Sequence, residues 1–600
     1  MFLRRKKGDI GIFLNPKAGN DSGNQFLKLC KNRINGLFVD KTDFIGETID
    51  RFDMDNNLLA FTKPRRFGKT VTAHMLACYY SKGADCKEVF SGLKVSSYSG
   101  KKIINGREKE ITYEEYLNKH NVIFLDMNVV NTRYNNLLRK SAKIEEVADI
   151  VDLTEYLVIK ELKEEPEFAP VLAKAGISNI GLSEALSEIH QKLDISFVFI
   201  MDEWDLIYRE YQNDKALQKK FIDTLTGLFK ASDGLACFSL AYLTGILPIK
   251  KYNSESALNN FDEYNMLFPG NFAPWFGFTD EEITEISKQS RRSVSKETLK
   301  EWYEGYQFVM PDDDGENDAE TAGNKGDKQN KYRLVDVYNP NSVSKAISRK
   351  ECRNYWSSTS SNAELIRLIN MNFEGIKDDI INLISGGSIV FDCESFENDM
   401  TSIDNKDQVF SLLVCLGYLG CSDEGDFLRS AYVPNREIRS ALSSIVRKQP
   451  WYNSMPVIER SEKLHNAILN QDAATAASVV EQIHNSEYVS VIGYNREEAL
   501  IFCLICGLMW RAENDYNTYR ELHAGLGYAD LVMVPAGSKN LPVMIFEFKK
   551  DASPEEALNQ VKEKDYPSRY CKGKRYDTVL MIGLSYDSDT KKHYCVIEKA

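Results

Sequence analysis

Six hundred residues, at about 150 per domain, allow two to four domains and a core large enough to need neither disulfides nor metal staples. Hydrophobic residues make up 43% and charged residues 27%, which excludes a globally disordered, collagen-like or coiled-coil chain. The 75 basic and 88 acidic side chains leave a net charge of -13, so nucleic acid can be held only by a local basic surface. The longest apolar run, Ala499 to Trp510, is shorter than the roughly 20 residues a bilayer span needs. Arg4 to Lys7 is followed by Gly8-Asp9 rather than an apolar stretch, against a secretory signal, and twelve scattered cysteines suit a reducing compartment. A cytoplasmic protein with no membrane partner is expected.

After a loop-rich start, Phe38-Val39-Asp40-Lys41-Thr42 leads into a helical pattern at Phe44, Ile45, Thr48 and Ile49. Apolar runs at Leu58–Phe61, Val122–Asp126, Phe197–Met201 and Ser239–Leu243 read as strands, with helices between them such as Ile144–Leu162 and Ser183–Leu193. That alternation predicts a parallel sheet with helices on both faces. From Thr279-Asp280-Glu281-Glu282, a helix-start signal, the pattern turns mostly helical to residue 450. Residues 311–331 interrupt it with Asp312-Asp313-Asp314, further acidic and amide residues and three glycines, which predicts a disordered loop rather than a metal site. The last part opens with helices at Val457–Gln471 and Ala473–Asn485, then gives strands at Tyr528–Val534 and Val543–Phe548 and an amphipathic stretch at Pro554–Tyr566. Three domains follow: 1–285, a mostly helical middle domain at 286–450, and a second α/β domain at 451–600.

Leu58–Phe61 runs into Thr62-Lys63-Pro64-Arg65-Arg66-Phe67-Gly68-Lys69-Thr70 just before a helix. In that context backbone N–H groups cradle phosphate oxygens, Lys69 reaches the terminal phosphates and the Thr70 hydroxyl is placed to ligate Mg²⁺. Lys63 replaces the first glycine of the usual pattern, and a Gly-Lys-Thr tripeptide alone also suits a surface turn. The strand Phe197–Met201 ends in Asp202-Glu203: the aspartate can hold magnesium and the glutamate can polarise an attacking water. Thr244, ending another strand, either bonds the γ-phosphate or lytic water or caps a turn. Arg65 and Arg66 either bind phosphate or pair with an acidic neighbour.

Phe38-Val39-Asp40-Lys41-Thr42, Pro64 to Thr70, Met201-Asp202-Glu203-Trp204-Asp205 and Leu243-Thr244-Gly245-Ile246 resemble the AAA-ATPase-like domain that is joined in many proteins to a PD-(D/E)XK nuclease-superfamily domain. Phe276-Gly277-Phe278-Thr279, Tyr303-Glu304-Gly305-Tyr306 and Tyr338-Asn339-Pro340 extend the resemblance over nearly the whole chain, and Lys63 stands where that family usually has arginine. It implies a P-loop NTPase (ASCE/AAA-like) fold, with ATP and Mg²⁺ as cofactors.

Asp530 lies in Tyr528-Ala529-Asp530-Leu531, and Glu547 and Lys549 lie in Phe546-Glu547-Phe548-Lys549. The polar, glycine-containing segment Ala536 to Asn540 between them predicts an antiparallel hairpin that brings Asp530 opposite the region of Glu547, with Lys549 on the same face. Two carboxylates bridged by Mg²⁺, with a lysine to orient water, suit phosphodiester hydrolysis, although a plain hairpin with a surface Glu–Lys pair has the same local sequence. The constellation is similar to the PD-(D/E)XK core, implying a restriction-endonuclease-like α/β domain. That resemblance assigns a metal-assisting role to Glu498 and matches Glu521, Gln560 and Tyr566, while Tyr528 stands where relatives usually carry arginine. Cys503 and Cys506 read as buried packing, and Arg291 and Arg292 as exposed helix arginines or trans fingers in a homo-oligomer.

The leading expectation is an ATP-binding and ATP-hydrolysing protein that controls a Mg²⁺-dependent nuclease. DNA is the substrate by resemblance, with Lys549, Lys550, Lys562, Lys564, Lys572, Lys574 and Arg575 as a candidate basic surface. The alternative is an NTP-driven switch or scaffold whose C-terminal domain binds nucleic acid or a protein without cutting. A metabolic kinase would explain the phosphate loop but none of the residues after 490.

Overall fold

Short runs almost free of polar side chains can lie only where both faces of a sheet are covered, and four of them pair in parallel in the computed structural model, with the short polar strand Asp262–Tyr264 added at one edge. In spatial order the five strands are Asn121–Asp126, Phe197–Asp202, Phe238–Gly245, Leu58–Thr62 and Asp262–Tyr264. The structure describes residues 14–600 apart from 17–23, 32–37, 105–106, 141–143, 145–146, 175–179, 231–236, 250–257, 290–293 and 312–331. Also outside the description are 357–361, 371–372, 374, 395, 397–402, 426, 450–455, 486–503, 505–506, 509–514, 525–526, 537–540 and 572–575. By packing, the chain divides into one unit of residues 1–374 with 390–438 and another of residues 375–389 with 439–600.

In the first unit the helix Lys69–Tyr80 follows the strand Leu58–Thr62 directly, and its Leu76, Tyr79 and Tyr80 join Phe44, Phe61, Tyr242 and Phe276 in one aromatic-rich core. Phe61 stacks on Tyr242 and Phe276 with ring centres 5.5 and 4.8 Å apart. Each such ring, fully buried, is worth about 1.5–3 kcal/mol, so the sheet is held rigidly under the loop it carries. The predicted strands are all present. The helix expected from Ile144 begins only at Ile150, because Asp149 caps it by accepting from the Val151 and Asp152 N–H groups.

The middle of the chain is mostly helical, as expected, but it also contains two small three-stranded sheets. One orders Phe278–Thr279, Tyr332–Tyr338 and Tyr306–Pro311; the other orders Ile389–Asp392, Leu428–Tyr432 and Gly420–Gly425. The strands Tyr306–Pro311 and Tyr332–Tyr338 flank the acidic segment 312–331, whose reading as a disordered loop lies outside the described residues. Pairing across so long an insertion leaves no local turn signal to announce it.

The second unit carries a five-stranded mixed sheet in the order Tyr516–Ala524, Gly527–Pro535, Val543–Lys550, Val579–Asp587 and Lys592–Lys599. Val543–Lys550 and Val579–Asp587 are parallel, and the helix Pro554–Glu563 makes the crossover that a parallel pair needs. Its Leu558 and Val561 cover one face, against Val532, Val543 and Ile545. Leu464, Val480 and Ile483, from the helices Pro456–Leu469 and Ala473–His484, cover the other, against Leu531, Met544, Phe546 and Phe548. Glu521 precedes the strand Gly527–Pro535, as expected, and lies within Tyr516–Ala524, an additional strand paired antiparallel with it.

Candidate functional sites

The first site forms where strand gives way to helix. Gly68 precedes Lys69 with φ +95°, a conformation that favours glycine, and Arg66 is also left-handed at φ +72°. The turn opens onto a cavity of about 810 Å³ lined by Arg65, Arg66, Phe67, Gly68, Lys69 and Thr70. Phe26, Phe38, Val39, Trp275 and Phe278 supply apolar walls, and Asn341 and Ser344 line it from the middle region. Phe67 is buried, whereas Arg65 is exposed. Arg66 Nη1 is buried with no hydrogen-bond partner. Lys69 is buried and donates to the carbonyls of Lys63 and Pro64 at 2.8 and 2.9 Å. Burial pushes its pKa down, opposed by Glu203 and Asp202.

Asp202 ends its strand beside Asp126 on one neighbour and Thr244 on the other. Burial, then the charge of Glu203, pushes its carboxyl up to about 7, while a hydrogen bond with Thr70 opposes the shift. Glu203 sits at φ +58°, donates its N–H to Asp202 Oδ1 at 3.1 Å and is paired with Arg209. Lys69, Thr70, Asp202 and Glu203 therefore gather at the carboxyl edge of the sheet, where α/β folds bind ligands. Thr244 is not brought into the cavity lining: it is fully buried and its hydroxyl donates to the Phe61 carbonyl at 3.0 Å.

Two residues of this network escape a reading of the sequence. Arg209 also donates to Asp205 Oδ2 at 3.0 Å, and that same oxygen accepts the N–H groups of Ile246 and Leu247. The i,i+4 spacing of Asp205 and Arg209 was the available signal. Asp126 caps the helix Met127–Arg139 and is pushed up by burial, with Glu203 adding to the shift.

The second site lies on the mixed sheet. Leu531 pairs with Phe546 and Val532 with Ile545, so one step further along the same register Asp530 stands across from Glu547. Directly opposed residues share a face, and here it is the face of Val532 and Ile545, covered by the helix Pro554–Glu563. Asp530 Oδ2 accepts the Phe548 N–H at 2.8 Å. Glu547 is buried; its Oε1 accepts from Gln560 on that helix and lies 3.5 Å from Lys549 Nζ. Gln560 in turn bonds Tyr566. Burial, then the charge of Asp530, pushes the Glu547 carboxyl up to about 7, opposed by Lys549.

Glu547 Oε2 is buried with no hydrogen-bond partner. An orphaned carboxylate oxygen beside a second carboxylate fits a hard divalent cation, which oxygen ligands bind. Among the described residues no group of three or more His, Cys, Asp or Glu gathers at metal-binding distance, so Asp530 and Glu547 are the donors in view. Glu498 lies outside the described residues, as do Cys503, Cys506, Arg291, Arg292, Lys572, Lys574 and Arg575.

Fold and sites together define the class: a parallel-sheet unit with a phosphate-type loop, and a mixed-sheet unit with paired carboxylates. The families follow from comparison. Residues 24–253 match the family model described as predicted AAA-ATPase, and residues 496–594 match that of the PD-(D/E)XK nuclease superfamily. The chain thus joins an AAA-ATPase-like domain to a PD-(D/E)XK nuclease-superfamily domain. No curated protein and no solved structure matches it. Among the described residues no helix is long and apolar enough to cross a membrane.

Proposed function

We propose that the chain binds and hydrolyses ATP and thereby regulates a Mg²⁺-dependent nuclease that cleaves phosphodiester bonds, with DNA as substrate. Domains at 1–285, 286–450 and 451–600 would divide the work between nucleotide binding, transmission and cleavage. The observation that carries the reading is the Asp530–Glu547–Lys549 cluster with its unsatisfied buried oxygen. Carboxylates brought together in a poorly solvated place raise one another's pKa, an arrangement that is costly unless a cation or chemistry uses it.

In this reading Asp530 and Glu547 hold Mg²⁺, whose charge would polarise the phosphoryl oxygen and make bound water more acidic. Gln560 fixes the Glu547 carboxylate, and Lys549 orients water and stabilises developing negative charge; Glu498 is assigned with them. At the first site the backbone from Arg65 to Gly68 and the Lys69 ammonium hold the phosphates. Thr70 and Asp202 hold the Mg²⁺ of MgATP and Glu203 orients the lytic water. Arg66, one of whose guanidinium nitrogens is buried without a hydrogen-bond partner, would donate to phosphate oxygens, and Thr244 would support this edge of the sheet from beneath.

Purified protein incubated with plasmid and Mg²⁺, with and without ATP, beside Asp530→Ala and Lys69→Ala, tests the reading. Cleavage is expected in the wild type and lost in Asp530→Ala; ATP turnover is expected to be lost in Lys69→Ala. Equal behaviour of wild type and Asp530→Ala on every form of DNA and RNA would favour a scaffold instead.

A further inference from the structure

The phosphate loop touches more than its cavity. Lys63, where such loops usually begin with glycine, is buried; its Nζ donates to the Asn265 carbonyl at 2.8 Å and lies 5.1 Å from the Phe308 ring centre. Pro64 packs so closely on Gly417 that a Cβ at Gly417 would stand 2.6 Å from its side chain. Phe67 meets Tyr306 edge to face at 5.2 Å, and the Tyr306 hydroxyl donates to the Gly417 carbonyl at 2.6 Å. One loop segment is thus fastened to the strand Tyr306–Pro311 and to the turn at Gly417, all within the first unit.

The same two residues also hold Lys69, through the carbonyls of Lys63 and Pro64. Those bonds use two of the three N–H donors of the ammonium, so a terminal phosphate that draws Lys69 toward it would lengthen or break them. An empty and a filled loop would then differ in what Lys63 and Pro64 hold, and a ligand can shift an equilibrium only through such a difference. A glycine at the head of the loop would have no side chain to pass that difference on.

We propose that Lys63 is a positioning residue of the nucleotide site, tying occupancy of the phosphate loop to the strand Tyr306–Pro311 and the Gly417 turn. The proposal rests on the ATP-binding reading above. Its test is hydrogen exchange on the full-length chain with and without saturating Mg²⁺ and the non-hydrolysable ATP analogue AMP-PNP, with equilibrium dialysis to measure binding. In the wild type the analogue changes exchange in peptides covering 306–310 and 412–420. Lys63→Met, which keeps an apolar stem and loses the donor, binds on the order of tenfold more weakly and loses that exchange response even when saturated. Lys63→Arg restores both.

Unchanged exchange of these peptides in the wild type, or a wild-type response in Lys63→Met, overturns the proposal. Should Lys63→Met fail to fold, Phe308→Leu with Lys63 intact is expected to lose the same response, and its retention counts against the proposal. A wild type that binds no nucleotide overturns the ATP reading and this proposal together, and dialysis distinguishes that result from binding without a response.

Discussion

Glu547 sits at the balance between fold stability and chemistry. Its carboxyl is pushed from an ordinary 4.5 up to about 7 by burial and then by Asp530, with Lys549 opposing. A group whose pKa is higher in the folded than in the unfolded chain supports folding fully below the unfolded value and loses that support as pH rises through the folded value. Without metal, the second unit should therefore lose stability between about pH 4.5 and 7. Glu547→Gln removes the titration: its Tm should exceed wild type by about 2–4 °C at pH 8 and match it at pH 5 in a metal-free thermal melt. Added Mg²⁺ should narrow the gap at pH 8, because a ligand that binds only the folded state stabilises it. Equal melting of the two proteins at both pH values would show that Glu547 carries no buried charge. Thr244 makes a plainer case: its hydroxyl bond to the Phe61 carbonyl predicts that Thr244→Val costs about 1 kcal/mol in denaturant unfolding.

Elements place these residues by their approach distances. Gly583 pairs with Glu547 across the parallel strands, and a Cβ on it would stand 2.2 Å from the Pro554 carbonyl. The missing side chain lets the helix Pro554–Glu563 lie close enough to bring Gln560 onto Glu547. Gly583→Ala should then cost about 1–3 kcal/mol in stability and lower cleavage further than stability alone explains, as Gln560 is lifted away. Wild-type cleavage in that variant would remove Gln560 from the account. Local sequence made the strand–loop–helix around Lys69 and the hairpin of Asp530 and Glu547 legible, because each is a contiguous pattern with the right period. The Lys63–Phe308 contact, the pairing of Tyr306–Pro311 with Tyr332–Tyr338 and the closeness of Gly583 to Pro554 were not legible. Each depends on residues distant in the chain whose approach leaves no periodic trace. Thr244 shows a different limit: a hydroxyl at the end of a strand reads alike whether it serves a ligand or a neighbouring carbonyl.

At the scale of the whole chain, the account predicts that the two sites can be separated by mutation. Lys69→Ala should abolish ATP turnover and any ATP dependence of cleavage while leaving divalent-ion binding at the second site intact. Cleavage by Lys69→Ala that still responds to ATP would mean that nucleotide acts somewhere other than the phosphate loop. The central claim of the nuclease reading is that Asp530 and Glu547, facing one side of their sheet, together hold a divalent cation. Titration of nucleotide-free protein with Mn²⁺, followed by electron paramagnetic resonance, measures this directly. The account predicts a saturable Mn²⁺ site in the wild type and in Lys69→Ala that is lost in Asp530→Asn. Mn²⁺ binding of equal strength in Asp530→Asn and wild type would contradict it.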